Sequence, residues 1–220
     1  MTGLRRCAVA LLAAAAVLAA CSLGLRSNAP PVQSYVLRAG EAAPQPARRV
    51  RGSASLRVLY PTAASGLGSD RIVLLQSDHR LSYYAASRWA APLPSMVEEL
   101  AVDTLRRAGT WDAVEDSSGV LPAQYFLQID IRRFEADYTG TSGPPLVQVA
   151  LDCTLGHRGG EQELVASFLV ARTVRASENR LGAVVAAFEQ AASDALGEAA
   201  GDAQAALDKA GRGGAAPAGH

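Results

Sequence analysis

The chain has 220 residues, of which 21 are basic and 21 are acidic, and it contains three cysteines and three histidines. Proteins that bind nucleic acids usually carry a basic surplus on one face, so this balance argues against a nucleic-acid partner. A chain of this length accommodates one domain with flanking segments.

The first predicted element is an N-terminal export signal. Arg5 and Arg6 precede an unbroken apolar run over residues 8–20. A membrane-spanning helix needs about 20 residues, so this shorter run is typical of the hydrophobic region of a secretory signal peptide. We therefore predict that residues 1–20 are removed from the mature protein.

The motif Leu18-Ala19-Ala20-Cys21 resembles the bacterial lipobox, in which the cysteine sulfur is acylated and cleavage leaves that cysteine at the mature N-terminus. The resemblance implies lipidation of Cys21. The alternative is an ordinary secreted protein that is cut after Ala20. Residues 21–34 contain two prolines and lack periodic apolar positions, so they are predicted to form a lipidated tether.

Four short apolar-rich runs follow the tether and are typical of β-strands. They cover residues 35–37, 56–59, 72–75 and 80–87. An Ala/Pro/Arg-rich loop over residues 40–53 separates the first two runs. Ser77, Asp78 and His79 are predicted to form the turn between the last two.

A helix is predicted next. Ser95 and Glu98 have the spacing of a capping box at its start, and Gly109 suits its C-terminal end. Its predicted apolar stripe is Val97, Leu100, Ala101, Leu105 and Ala108.

Three strands with a two-residue alternation of apolar and polar side chains come after this helix. Their predicted inward faces are Tyr125, Leu127, Ile129 and Ile131; then Val149, Leu151, Cys153 and Leu155; and then Leu164, Ala166, Phe168 and Val170. Turns at residues 140–145 and 157–160 predict an antiparallel meander.

A second helix is predicted from about Asn179. Its apolar stripe is Leu181, Val184, Val185, Phe188, Ala192 and Leu196. The order of strands, helix, strands, helix predicts one α+β domain over residues 35–200, in which two main helices pack on one face of a mostly antiparallel sheet. The Ala/Gly-rich residues 201–220 are predicted to be a disordered tail.

The residues that carry chemistry are sparse and scattered. Lys209 is the one lysine and lies in the predicted tail, while His79 and His157 lie in predicted turns. No pair of histidines has metal-ligand spacing and the sequence contains no Cys-x-x-Cys motif, so no metal, cofactor or catalytic residue is predicted, and the chain is not expected to be an enzyme. Cys153 lies among apolar residues on its strand face, which favours a buried, unreactive thiol over a nucleophile.

Several motifs resemble the ABC-type transport auxiliary lipoprotein family. These motifs are Tyr35-x-Leu37, Asp70-Arg71-Ile72-Val73, Leu81-x-Tyr83-Tyr84-Ala85-x-x-x-Trp89-Ala90, Pro92-Leu93, Gln128-Ile129 and Phe134-Glu135-Ala136. The resemblance covers roughly residues 35–196, and the Tyr-Tyr-Ala-x-x-x-Trp stretch is its distinctive part.

The resemblance implies a non-catalytic envelope protein that serves a lipid-transport system of the MCE or paraquat-inducible type. Its expected partners are an MCE-domain protein and the associated ABC transporter, and self-association is left open. Ser22 follows the lipidated cysteine where an Asp would retain the protein at the inner membrane. The expected location is therefore the periplasmic face of the outer membrane, through the lipid on Cys21. A periplasmic lipid-binding carrier and an envelope structural lipoprotein unrelated to transport are the alternatives.

Tyr84, Arg88 and Trp89 are the candidate residues for a partner interface. Trp and Arg are enriched at binding hot spots. For Trp89 a role in the core is favoured, because buried aromatic side chains mainly stabilise a fold. An interface role is therefore assigned more readily to Arg88 or Tyr84, whose polar tips can reach a partner.

Overall fold

The computed structural model describes residues 31–40, 54–140, 142–159 and 161–213. The predicted signal, Cys21, most of the tether and the last seven residues lie outside this part of the chain. In chain order the elements are β1 (Gln33–Tyr35), β2 (Ser55–Val58), β3 (Thr62–Ala63), β4 (Arg71–Leu75), β5 (Leu81–Trp89), α1 (Leu93–Ala108), β6 (Ala113–Glu115), β7 (Tyr125–Asp137), β8 (Leu146–Gly159), β9 (Glu161–Arg175) and α2 (Leu181–Gly213).

These elements form an α+β fold with one nine-stranded sheet. The predicted meander is confirmed, because β7, β8 and β9 pair antiparallel along their lengths. The prediction of a mostly antiparallel sheet was wrong. β2, β3 and β4 all pair with β7 in parallel, and β1–β5 and β2–β6 are parallel as well.

The mixed sheet has a simple cause in the course of the chain. Residues 55–75 form an interrupted extended path that runs beside β7 in the same direction, first as β2, then as β3 and then as β4. The connection from β4 to β7 passes through β5, α1 and β6, and a long connection of this kind is what a parallel pair requires. The alternation of apolar residues specifies which face a side chain occupies and not the direction of the neighbouring strand.

The two faces of the sheet differ sharply. α2 packs on β8 and β9, while α1 packs against α2, β2 and β6. On this helix-covered face the side chains of β7 and β8 are buried, namely Leu127, Ile129, Ile131, Phe134, Val147, Val149, Leu151, Cys153 and Leu155. The intervening positions form the open face, where Gln128, Asp130, Asp152 and Thr154 are partly exposed. This division follows the two-residue period of the strands.

The third strand of the meander departs from its predicted inward face. A bulge between β8 and β9 pairs Leu155 with Ala166 but pairs Gly156 with Leu164, which leaves Val165 as an extra residue. A bulge of this kind moves all residues beyond it to the opposite face. Leu164 therefore lies on the open face and is 64% exposed, although it was predicted to point inward.

The first helix begins earlier than predicted. It starts at Leu93 after Pro92, which forms the N-cap without a side-chain hydrogen bond, so Ser95 lies inside the helix and not at a capping box. Pro94 lies in the first turn of the helix and costs no hydrogen bond there, since a backbone N–H at this position would have no intrahelical partner. Gly109 ends the helix at φ 65°, in the left-handed conformation that glycine adopts without strain, which confirms it as the stop.

The second helix extends far beyond its predicted end. It continues to Gly213, so the prediction of a disordered tail from residue 201 was wrong. Ala203 and Leu207 are buried in the core, and the Thr110 hydroxyl donates a hydrogen bond of 3.1 Å to Gln204 Oε1. Alanine is the strongest helix former, and its small side chain allows close packing on the sheet, so an Ala-rich composition here indicates helix.

We expect Leu207→Ala to lower stability. Burial of a leucine contributes about 1.5–3 kcal/mol, and a loss of that size lowers the melting temperature of a domain of this size by about 3–12 °C. Thermal unfolding followed by circular dichroism measures the shift. Lys209→Ala is the matched control, because Lys209 is exposed on the same helical turn. Equal melting temperatures for the two variants would show that the end of α2 does not belong to the core.

Candidate functional site

The candidate site lies where β5 ends, between β1 and β4. Three hydrogen bonds of the main chain fix this region from two sides, namely β1 and the residues that precede β4. The Trp89 amide donates to the Asp70 carbonyl (2.7 Å), the Ala90 amide to the Tyr35 carbonyl (2.7 Å), and the Leu93 amide to the Ser69 carbonyl (3.1 Å). The end of β5 is thus held in one conformation before α1 begins.

Ala86 interrupts the regular alternation of side chains between the two faces of β5. It has φ 49°, a left-handed conformation that is unusual for a residue with a side chain, and the register of β4 with β5 shifts between Arg71 and Val73. This irregularity separates the two halves of β5. Beyond it, Trp89 points into the helix-covered face and Arg88 points to the open face.

Trp89 lies in the core. Its side chain is 1% exposed and makes edge-on contacts with two phenylalanine rings, with centroid distances of 6.1 Å to Phe134 and 5.4 Å to Phe188. Phe134 and Phe188 stack on each other at 5.0 Å. The core role favoured from the sequence agrees with this burial, and in this conformation Trp89 offers no surface to a partner.

Tyr84 does not present a free polar tip, contrary to the expectation from the sequence. Its hydroxyl is half-buried and lies 2.9 Å from the Tyr138 hydroxyl, which in turn donates to Asn179 Oδ1 at 2.9 Å. Burial raises the pKa of the Tyr84 hydroxyl well above its ordinary value, and the hydrogen bond to Tyr138 raises it further. This chain of hydrogen bonds links β5, β7 and the residues that precede α2.

Arg88 is the one predicted interface residue that faces solvent. Its side chain is 55% exposed and it belongs to a row of Cα partners across three strands, Ser34 on β1, Arg88 on β5 and Arg71 on β4. We call these three residues the arginine row. Sequence analysis missed Ser34 and Arg71 as members of this site, because only strand register places them beside Arg88.

The arginine row carries two positive charges with little neutralisation. Like charges on directly opposed positions of two strands repel each other. Arg88 Nη1 lies 3.7 Å from Asp70 Oδ2, which is a long ion pair, and the Arg71 guanidinium lies 4.3 Å above the ring of Tyr83. The row can therefore accept carboxylate or other anionic groups, and stacking on Tyr83 limits the movement of Arg71.

Phe188 lies in the core between the sheet and the helices. A lipid carrier would need an apolar cavity in this region, but Phe188 is completely buried against Trp89 and Phe134. A cleft of about 520 Å³ lies elsewhere, on the surface beside the β4–β5 turn and Tyr138. The contacts of Phe188 with Trp89 and Phe134 give it a role in the packing of the core.

Cys153 and His157, two side chains capable of reactive chemistry, pack against other side chains of the fold. Cys153 is fully buried, and desolvation, reinforced by the carboxylates of Asp152, Asp202 and Asp130, raises the pKa of its thiol to about 12. His157 lies in β8 and not in the predicted turn, with its ring centroid 4.8 Å from that of Tyr125. Within the described ranges, no group of three or more His, Cys, Asp or Glu residues is placed to hold a metal ion.

In the part of the chain that the structure describes, no helix combines the length and apolar character needed to cross a membrane.

Comparison with known proteins gives one family match. The model of a family described as the ABC-type transport auxiliary lipoprotein component matches residues 35–200. This segment contains both helices except for the end of α2, and it contains the whole arginine row except for Ser34.

Two crystal structures share the fold. A protein from Xanthomonas campestris has a TM-score of 0.71 and 30% sequence identity, and the match covers 82% of this chain and 99% of that chain. The structure of an uncharacterized protein has a TM-score of 0.62 at 16% identity, covering 79% and 99% of the two chains, and this likeness concerns the fold alone.

A curated relative matches over a shorter region. An uncharacterized protein of Bradyrhizobium diazoefficiens is 30% identical over 139 residues, which are 63% of this chain and 36% of that protein. The chain thus spans about a third of the length of this relative.

We expect Trp89→Ala to destabilise the fold far more than Arg88→Ala. Truncation of a buried tryptophan costs about 3–5 kcal/mol, whereas an exposed, weakly paired arginine contributes about 0–1 kcal/mol. Unfolding in denaturant, with all curves analysed by linear extrapolation, measures both values. A Trp89→Ala protein as stable as the Arg88→Ala protein would contradict the placement of Trp89 in the core.

Proposed function

Because the chain belongs to the family of ABC-type transport auxiliary lipoproteins, we propose that it is a non-catalytic accessory component of an MCE-type lipid transport system. It is attached through a lipid on Cys21 to the periplasmic face of the outer membrane. Its task is to dock the MCE-domain protein of that system. The observation that carries this proposal is the family match over residues 35–200.

The surroundings of the reactive groups support a binding role. The Cys153 thiol and the Tyr84 hydroxyl both stay protonated near neutral pH, because burial raises the pKa of each group. Arg88 and Arg71 are, by contrast, exposed, and the ion pair of Arg88 with Asp70 is long, at 3.7 Å. Exposed arginines on a rigid scaffold are common anchors of protein interfaces.

The position of the arginine row supports an MCE-domain protein as the direct partner. β1 carries Ser34 and begins at Gln33, twelve residues after Cys21. An extended chain spans at most about 3.3–3.6 Å per residue, so this tether keeps β1 within about 40 Å of its membrane. A component that lies beneath the inner membrane is out of reach of an outer-membrane protein, whereas a partner that extends across the periplasm is not.

The chemistry of the row predicts what the partner presents. Two guanidinium groups on neighbouring strands suit carboxylates or carbonyl oxygens, and arginine binds planar carboxylates through two hydrogen bonds. We expect the MCE-domain protein to place an acidic group on the Arg88 side of the sheet. Salt weakens the attraction between exposed charges, so the affinity for the MCE-domain protein should fall as the salt concentration rises.

Arg88→Ala should reduce binding of the MCE-domain protein by about thirtyfold, the effect of an interface residue worth about 2 kcal/mol. Binding is measured by pull-down and by titration with the purified partner from the same operon. Arg132→Ala is the matched control, because Arg132 is similarly exposed on the open face, 2.9 Å from Asp152, and lies away from the row. Equal affinities for the two variants would place the docking surface elsewhere.

Cys21→Ser should release the protein from membranes while leaving the domain folded. Stable anchoring needs more than one acyl chain or a second signal, and a lipobox cysteine supplies such chains. Fractionation of cells followed by a high-salt wash measures the attached share. If the variant still sediments with the membranes after the wash, the proposed anchor is wrong.

A further inference from the structure

β1 forms one edge of the sheet, beside the arginine row. It pairs with β5 over Gln33–Tyr35, and no other strand in the described part of the chain pairs with it. The Tyr35 carbonyl accepts a hydrogen bond of 2.7 Å from the Ala90 amide, so the backbone polar groups of Tyr35 face β5. Successive residues of a strand direct these groups to opposite edges. The N–H and C=O groups of Ser34 and Val36 therefore face outward, where a further strand can pair with them.

The exposed side chains along this edge alternate between apolar and polar. Val32 is 57% exposed and Val36 is 52% exposed, and Ser34 lies between them on the same face of the extended chain. Ser34 belongs to the arginine row, so this face is the open face of the sheet. A strand added here meets two apolar positions with a polar position between them, and the guanidinium groups of the row lie beside the polar one.

The charge of the arginine row indicates which residue suits the position opposite Ser34. Arg88 Nε lies 3.5 Å from Ser34 Oγ, so the Arg88 side chain already reaches β1. Neighbouring strands lie about 4.7–4.9 Å apart, which places the residue opposite Ser34 about 10 Å from the Arg88 backbone. A carboxylate side chain on that residue and the long Arg88 side chain bridge this distance together. The row therefore favours an acidic residue opposite Ser34.

The unpaired backbone of the edge favours a protein over a lipid surface as its occupant. Anionic lipid headgroups can also meet the guanidinium groups of the row. They cannot pair in register with the backbone groups of Ser34 and Val36, and polar backbone groups that are covered without hydrogen bonds cost stability. The arginine row and the free edge together therefore suit a polypeptide strand.

We propose that an extended segment of the MCE-domain protein adds to the free edge of β1 as a further strand. The strand addition rests on the proposed function, which supplies the partner. The added segment carries an acidic residue opposite Ser34 and apolar residues opposite Val32 and Val36. This pattern is the same in both chain directions, so it suits a parallel or an antiparallel strand. Main-chain hydrogen bonds give such a pairing its affinity, and the alternate side chains give it specificity.

Val36→Pro tests the pairing of the backbone in the mature chain with Cys21→Ser. Proline removes the outward N–H of residue 36, and edge strands tolerate proline where the N–H faces solvent. Val36→Ala is the matched control, since it retains this N–H. We expect Val36→Pro to weaken binding of the purified MCE-domain protein at least about tenfold more than Val36→Ala does. Melting temperatures establish that both variants are folded.

The affinities separate the strand addition from the proposed function. If the wild-type chain does not bind the MCE-domain protein, the proposed function fails and the strand addition fails with it. If the wild-type chain binds and the two Val36 variants have equal affinities, the proposed function stands and the strand addition is overturned.

Hydrogen exchange of the backbone amides, read by NMR, gives a second measurement that needs no substitution in β1. In the free chain the Ser34 and Val36 amides should exchange faster than the Tyr35 amide, because Tyr35 alone of the three pairs with β5 through its N–H. The MCE-domain protein should slow exchange at Ser34 and Val36 at least about tenfold. Unchanged exchange of these two amides in the complex would overturn the proposal. Slow exchange in the free chain would also overturn it, since another part of this chain or a second copy would then occupy the edge.

Discussion

The contact among Trp89, Phe134 and Phe188 holds the three main parts of this fold together. Trp89 ends β5, Phe134 lies in β7 and Phe188 lies in α2, and all three side chains are fully buried. Each favourable aromatic pair contributes about 0.5–1.5 kcal/mol beyond the burial of its area. The larger effect is geometric, because the cluster fixes where the sheet, the second helix and the start of α1 meet.

The arginine row depends on this cluster. Trp89 turns inward to reach the two phenylalanines, so the preceding residue of the same strand, Arg88, must turn outward. The strained backbone at Ala86 makes this orientation compatible with the first half of β5, where Tyr84 is tied to Tyr138. The surface that we assign to docking is therefore set by the packing of the core and does not depend on a mobile loop.

The sequence predicted the local elements well and the long-range ones poorly. The alternation in β7 and β8 and the apolar stripe of α2 identified their buried faces, because each pattern follows directly from the period of its element. The parallel pairing of β2, β3 and β4 with β7 could not be inferred, since the residue pattern of a strand does not specify the direction of the strand beside it. β3 and β6 are two and three residues long, too short to show a period. The bulge that exposes Leu164 has no signal of its own, and the Ala-rich end of α2 resembles a flexible tail in composition until the burial of Leu207 is seen.

The pairing of β2 with β7 also shapes how the chain folds. Leu56 on β2 is the partner of Tyr125 on β7, so 69 residues (125 − 56) separate the two partners along the chain. Closing a loop of this length costs entropy before any contact is gained, and folds dominated by such distant pairs fold slowly. The meander of β7, β8 and β9 is local by comparison and can form first. β7 then serves as the template on which the earlier half of the chain assembles. The strands that come first in the sequence, β2, β3 and β4, are therefore among the last to pair.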